Sequence, residues 1–180
     1  REPVEHAASD FQQRVKGGKW DDTIDAWFAQ YNKPVGFSQA LENLARYPEV
    51  ALTVRNYSVC RQRLLAEVED WLGLSEGPLE RPPVSRVNRS LTGGELVLQT
   101  ALNRQLGPSS RFLGRSLVQQ LPNIEPEPVW PTREVQEAML ERLRPAIEQI
   151  NARVPEAHRY RYEIQEPATR SDYGFTAEQL

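Results

Sequence analysis

The sequence predicts a three-layer α/β fold, mostly helical with few parallel strands, and three observations carry that reading. Residues 49–54, from Glu49 to Val54, form a short apolar run rich in β-branched residues, the pattern of a strand covered on both faces. A helical repeat follows, with Leu64, Leu65, Val68, Trp71 and Leu72 in phase and Gly73 to close it. Strand then helix is half of a βαβ unit. Elsewhere the apolar residues recur every three or four positions, so helices dominate.

Pro3 opens the first helix, at a position where its missing N–H costs nothing. Val4, Ala7, Ala8, Phe11 and Val15 give that helix one apolar face, and Gly17-Gly18 ends it. Asp21 or Asp22 caps a second helix carrying Ile24, Trp27, Phe28 and Tyr31, which lasts until Pro34. Ser38 caps a third, short helix through Leu41 and Leu44, which stops at Tyr47-Pro48. Beyond the strand and its helix, the prolines of residues 77–83 mark a connector. Thr92-Gly93-Gly94-Glu95 is a capping box, satisfying two orphan backbone donors at once. It launches a helix with Leu98, Leu102 and Leu106 on one face, stopped by Gly107-Pro108. Phe112, Leu113, Leu117 and Leu121 suggest another helix, and the proline-rich stretch 122–131 an extended link. Thr132 caps a long amphipathic helix through Leu140, Leu143, Ile147 and Ile150, with a kink expected at Pro145. The tail beyond Pro155, with Tyr160, Tyr162 and Tyr173, suggests no regular element.

At 180 residues the chain suits one domain or part of a larger one. Its 39% apolar and 26% charged residues support a packed core and exclude global disorder. A net charge of −3 argues against the broad basic surface a nucleic acid demands, while leaving room for a local cationic pocket. The lone cysteine, Cys60, rules out an internal disulfide and suits a reducing, cytoplasmic setting. With only His6 and His158 beside it, no structural zinc site is expected. No apolar run approaches the roughly 20 residues that span a bilayer. The chain opens on Arg1, and Thr176 with Gln179 makes a capping box at its last residues. Residues 1–180 therefore read as a partial domain from inside a longer chain.

The chemistry-bearing pattern is Arg1-Glu2-Pro3, five residues, then Ser9-Asp10-Phe11. Arg1 precedes a helix start, and Ser9 lies about two turns along it. Helix starts favour anions through free N–H groups and the macrodipole. An arginine there adds a permanently charged fork suited to phosphate, and a serine on the same side a further hydrogen bond.

This arrangement resembles the 3'-phosphate motif of sulfotransferases that use 3'-phosphoadenosine 5'-phosphosulfate (PAPS), notably their bacterial and carbohydrate-directed branches. In that family an arginine ends a central strand, an Asn, Asp or Glu and a proline follow, and a serine comes eight residues after the arginine. Arg1, Pro3 and Ser9 match by type and spacing, with Phe11 as the aromatic counterpart. Arg46-Tyr47-Pro48-Glu49-Val50 into Val54-Arg55-Asn56-Tyr57 resembles the family strand that ends in an adenine-side tyrosine. Leu64-Leu65 through Trp71-Leu72-Gly73-Leu74 resembles the helix that follows it, and Val87-Asn88-Arg89-Ser90-Leu91 a segment of bacterial members. Recognisable wording covers about the first hundred residues.

The resemblance implies a P-loop-like sulfotransferase fold, truncated here, and a parent enzyme that moves a sulfuryl group from PAPS to a hydroxyl or amine of a small-molecule or carbohydrate acceptor, without a metal. It places Arg1 and Ser9 on the 3'-phosphate and Tyr57 beside the adenine. The family's catalytic base and 5'-phosphosulfate loop precede the arginine, so no catalytic residue is assigned and the 180 residues alone are expected to be inactive. Arg86 and Arg89 are candidates for late contacts to the 3'-phosphate, but the family's Arg-Lys-Gly wording is absent and no role is assigned. His6 reads as a satisfied or solvent-facing histidine. Two other classes compete. A P-loop small-molecule kinase needs a Gly-rich Lys-Ser/Thr loop and a Mg²⁺ ligand, and the residues show neither. A non-enzymatic helical interaction protein would carry Arg1 and Ser9 as ordinary surface residues.

Overall fold

A computed structural model describes residues 1–74, 77, 79–80 and 89–167, and among them are eight α-helices and no β-strand. The helices are α1 (Pro3–Lys16), α2 (Ile24–Gln30), α3 (Lys33–Leu44), α4 (Tyr57–Cys60), α5 (Leu64–Leu72), α6 (Gly93–Leu106), α7 (Arg111–Gln120) and α8 (Arg133–Asn151). The expected three-layer α/β, P-loop-like architecture with parallel strands is thus overturned. The strand expected at 49–54 is an irregular segment, entered by a turn in which the Val50 amide donates to the Tyr47 carbonyl. A strand exists only by exchanging N–H and C=O groups with a neighbour, and no described segment provides one. Its faces are not covered either: Val50 is 45% and Leu52 49% exposed. Val54 alone turns inward, onto a small core of Leu41, Ile150 and Val154 with Phe37 and Tyr160.

The described residues fall into two compact units. The first gathers residues 1–3, 32–74, 77, 79–80 and 140–163, and holds the Leu41–Ile150–Val154 core. In it, α3 starts earlier than its apolar pattern suggests, with Pro34 in the first turn. Ser38, expected as the cap, is instead buried inside the helix and donates to Gln149 Oε1 at 2.6 Å. Helix α5 ends on Gly73 at φ 66°, where the Gly73 and Leu74 amides close back on Asp70 and Glu69, the left-handed stop that glycine takes without strain. Its buried residue is Glu69, which accepts from the Gly77 and Leu79 amides, whereas Trp71 is 67% exposed.

The second unit comprises residues 4–31, 89–139 and 164–167. Helix α1 buries Val4, Ala7, Ala8, Phe11 and Val15, the face its spacing marks. The cap of α2 is Thr23, whose hydroxyl accepts from the Ala26 amide, while Asp22 holds the Thr23 amide. Trp27 donates to the Ala7 carbonyl at 2.9 Å and stacks edge-on with Trp20. The capping box of α6 is formed as expected. Its buried face is largely polar, however: Glu95, Gln99 and Asn103 point inward alongside Leu96, and Leu106 lies exposed. Gln99 donates to Asn103 Oδ1 and the Ser110 carbonyl, and Asn103 to the Val15 and Trp20 carbonyls. Helix α8 runs without a break through Pro145. Near its start Gln136 is fully buried, its side-chain Nε2 donating to the Gln165 carbonyl and its Oε1 accepting from the Gln165 amide. The capping box at Thr176 and the tyrosine at 173 lie outside the described residues.

Candidate functional site

The first unit brings two of the three residues singled out in the sequence together. The Arg1 guanidinium lies 4.8 Å from the centre of the Tyr57 ring, a cation–π contact. Tyr57 opens α4 and keeps 39% of its surface exposed. Ser9 sits half-buried on α1, in the second unit.

Arg1 and Tyr57 are held by the residues beside them. Glu2 is buried, and its amide donates to Ser58 Oγ at 2.8 Å. One Glu2 carboxylate oxygen accepts from Asn56 Nδ2 and the other from the Arg161 amide, each at 2.8 Å. Asn56, also buried, caps α4 by accepting from the Ser58 amide. The segment just before α1 and the turn carrying Tyr57 are therefore locked through one carboxylate and one carboxamide. Charge-assisted bonds of this kind are the strong ones.

His158 completes the surroundings. Its Nδ1 lies 3.3 Å from the Asn56 amide and its Nε2 3.2 Å from Arg55 Nη1. Both neighbours are donors and a neutral ring accepts at one nitrogen, so the tautomer selects which of the two bonds is made. Arg55 is drawn away by Glu67, with Nε 3.5 Å from the carboxylate. The Glu2 charge is felt at Tyr160, whose phenol is pushed above its ordinary value first by burial and then by that carboxylate.

Arg89, left without a role by the sequence, is not a phosphate ligand. Its side chain is 1% exposed and paired with Glu95 through two bonds of 2.7 and 2.8 Å. Its other N–H groups donate to the carbonyls of Ser90, Leu117 and Leu121, so every donor of the fork is used. Arg86 lies outside the described residues. His6 meets the Tyr31 hydroxyl at 2.5 Å, a satisfied histidine.

Sequence reasoning missed Glu2, Asn56 and Ser58 as the frame of the site. An asparagine just ahead of a turn of helix is an N-cap signal, so Asn56 was within reach. Nothing local announces that Glu2 binds Arg161. No protein-family model, curated protein or solved structure matches this chain. Among the described residues no helix is long and apolar enough to cross a membrane, and no group of three His, Cys, Asp or Glu side chains is placed to hold a metal ion.

Proposed function

We propose that this chain belongs to a PAPS-dependent sulfotransferase, in which Arg1 binds the 3'-phosphate and Tyr57 meets the adenine. What supports the reading is the Arg1–Tyr57 contact: two residues chosen from motifs far apart in sequence lie 4.8 Å apart. A guanidinium carries two parallel N–H groups on one edge, a geometry that suits a phosphate. The exposed part of the Tyr57 ring suits a base. Ser9 and the acceptor, a small molecule or carbohydrate with a hydroxyl or amine, belong to the same proposal. In the reaction the acceptor oxygen or nitrogen attacks sulfur and the bond from sulfur to the 5'-phosphate oxygen breaks. The acceptor proton passes to a base that we assign to no residue here. Arg1 acts by positioning the nucleotide, which governs such transfers together with charge stabilisation. A reducing, cytoplasmic setting goes with this reading, and Cys60 is a buried free thiol.

Calorimetric titration with 3'-phosphoadenosine 5'-phosphate tests the assignment. Arg1→Ala should weaken binding by roughly 2–5 kcal/mol, as removing one partner of a close charge pair does. Adenosine 5'-phosphate should bind that variant as well as the bisphosphate does. An Arg1→Ala protein that still prefers the bisphosphate as sharply as the wild type removes Arg1 from the site. Tyr57→Phe should retain binding, and Tyr57→Ala should lose it in part.

One observation favours the reading of a helical interaction protein. Leu64, Trp71, Leu72 and Leu74 are all exposed in and just after α5, and clustered apolar surface marks contact sites. No bisphosphate binding by the chain would favour that second reading.

A further inference from the structure

Within the second unit, the end of α1 and helix α7 enclose a cleft of about 490 Å³. Four cations line it: Lys16 and Lys19 from the end of α1 and the turn beyond it, Arg111 and Arg115 from α7. Its other lining residues among those described are Gln13, Gln119, Val118 and two glycines, none of them acidic. This stands in a chain whose net charge is −3. We propose that the cleft binds a compact anion bearing two linked phosphoryl groups.

Three local features work against the unliganded cleft and are reversed by such an anion. Arg111 and Arg115 are four residues apart on α7, where like charges repel. Arg111 also stands in the first turn of α7, which has no acidic residue, and a cation is the wrong charge for the positive end of the helix dipole. Lys16 is half-buried, its ammonium donating to the Arg89 carbonyl at 3.3 Å. Burial first, and then the Arg89 charge, hold its pKa below the ordinary lysine value. Local costs that persist without a structural gain are the mark of a functional site.

The number and kind of donors set the ligand class. Two arginine forks on one helix face suit bidentate capture of one phosphoryl group. Lys16 and Lys19 offer point charges for a second group, and the Gln13 and Gln119 amides can meet further oxygens. Gly114 keeps the floor low. A Cβ there would stand 2.9 Å from Gln99 Oε1 and 3.4 Å from Lys16 Cα, so α7 approaches α1 closely at this point. The inference does not rest on the sulfotransferase reading, which concerns Arg1 and Tyr57.

Titration of the whole chain with inorganic pyrophosphate tests it, with ADP, sulfate and a short single-stranded oligonucleotide as comparisons at fixed ionic strength. Pyrophosphate should bind saturably and more weakly as salt rises. The Arg111→Gln/Arg115→Gln protein should bind at least about tenfold more weakly, the loss expected when charge-assisted contacts go. It should also melt no lower than the wild type, because the i,i+4 repulsion is relieved, so lost binding is not lost folding. ADP binding at least as tightly as pyrophosphate supports a diphosphate carried on a nucleoside; pyrophosphate binding better than ADP supports the free anion. Arg1→Ala should leave pyrophosphate affinity unchanged, separating this site from the proposed nucleotide contact. Equal binding of sulfate and pyrophosphate, tighter binding of the oligonucleotide, or full affinity in the double variant each overturns the proposal.

Discussion

Helices α1 and α6 have the same length and bury opposite chemistries. Helix α1 turns its apolar residues inward, and its Phe11 and Val15 are closed off from solvent. Helix α6 turns Glu95, Gln99 and Asn103 inward, one turn apart, and leaves Val97 and Leu106 exposed. A polar stripe survives burial only when its groups find partners. Here Arg89, Ser110 and the Val15 and Trp20 carbonyls supply most of them, while Gln99 Oε1 is buried without a hydrogen-bond partner among the described residues. Periodicity thus locates a helix, while the inward face depends on partners elsewhere in the chain.

The sharpest way to break the comparison is at the Arg89–Glu95 pair. Arg89→Met leaves a buried carboxylate without its counter-charge and should destabilise by about 3–5 kcal/mol in urea denaturation. The double change Arg89→Met/Glu95→Leu should recover much of that loss, since apolar groups of similar volume often replace a buried ion pair. A double variant as unstable as the single one means that α6 is held by something other than the pair. On α1 the same experiment has no polar term. Val15→Ala should cost about 2 kcal/mol, the transfer and cavity cost of the lost methyl groups, with no rescue from a second site.

A buried carboxylate in the first unit extends the test to pH. Tyr160 has its pKa raised above 10.0 by burial and by Glu2. The folded state therefore holds this proton more tightly than the unfolded chain. The associated stability is whole below pH 10 and is lost as pH rises through the folded value. Wild type and Tyr160→Phe should lose stability in parallel up to roughly pH 9. Above pH 10 the wild type should fall faster, by denaturant midpoint. Tyr162, pushed the same way, remains in both proteins. Parallel curves throughout would mean that Tyr160 ionises as readily when folded.

The smallest effect is expected on α5. Trp71→Ala should change stability by no more than about 0.5 kcal/mol, as surface substitutions do, although the apolar period there is as regular as on α1. A cost of several kcal/mol would show that Trp71 is covered in solution.

Local signals were legible: the Thr92–Glu95 capping box, the Gly73 stop and the buried face of α1 all follow from short-range rules. What failed depended on distant partners. The apolar run 49–54 needs a neighbouring strand, and Ser38 looks like a cap in the sequence because its acceptor, Gln149, lies 111 residues away. The candidate site divides in the same way. Arg1 could be chosen by residue type and spacing and Tyr57 from the family resemblance, whereas Glu2 joins residues 54 and 159 positions distant. Arg89 could be noticed, but only its five bonds settle that its charge is spent.

The Gly17-Gly18 turn has a practical consequence for anyone modifying this protein. A pair of glycines after a helix looks like the natural place for an inserted tag, a new terminus or a flexible joint, because loop tips usually tolerate such changes. Gly18 is the opposite of a slack joint. It adopts φ 67°, and a Cβ on it would stand 2.9 Å from both the Gly107 carbonyl oxygen and Pro108 Cα. Added atoms there would wedge the end of α1 away from the turn that separates α6 from α7. Gly36 and Gly73 have nothing within 4 Å of the corresponding position. Gly73 has that room but holds φ 66° as the stop of α5, so an attachment there has to keep the glycine itself.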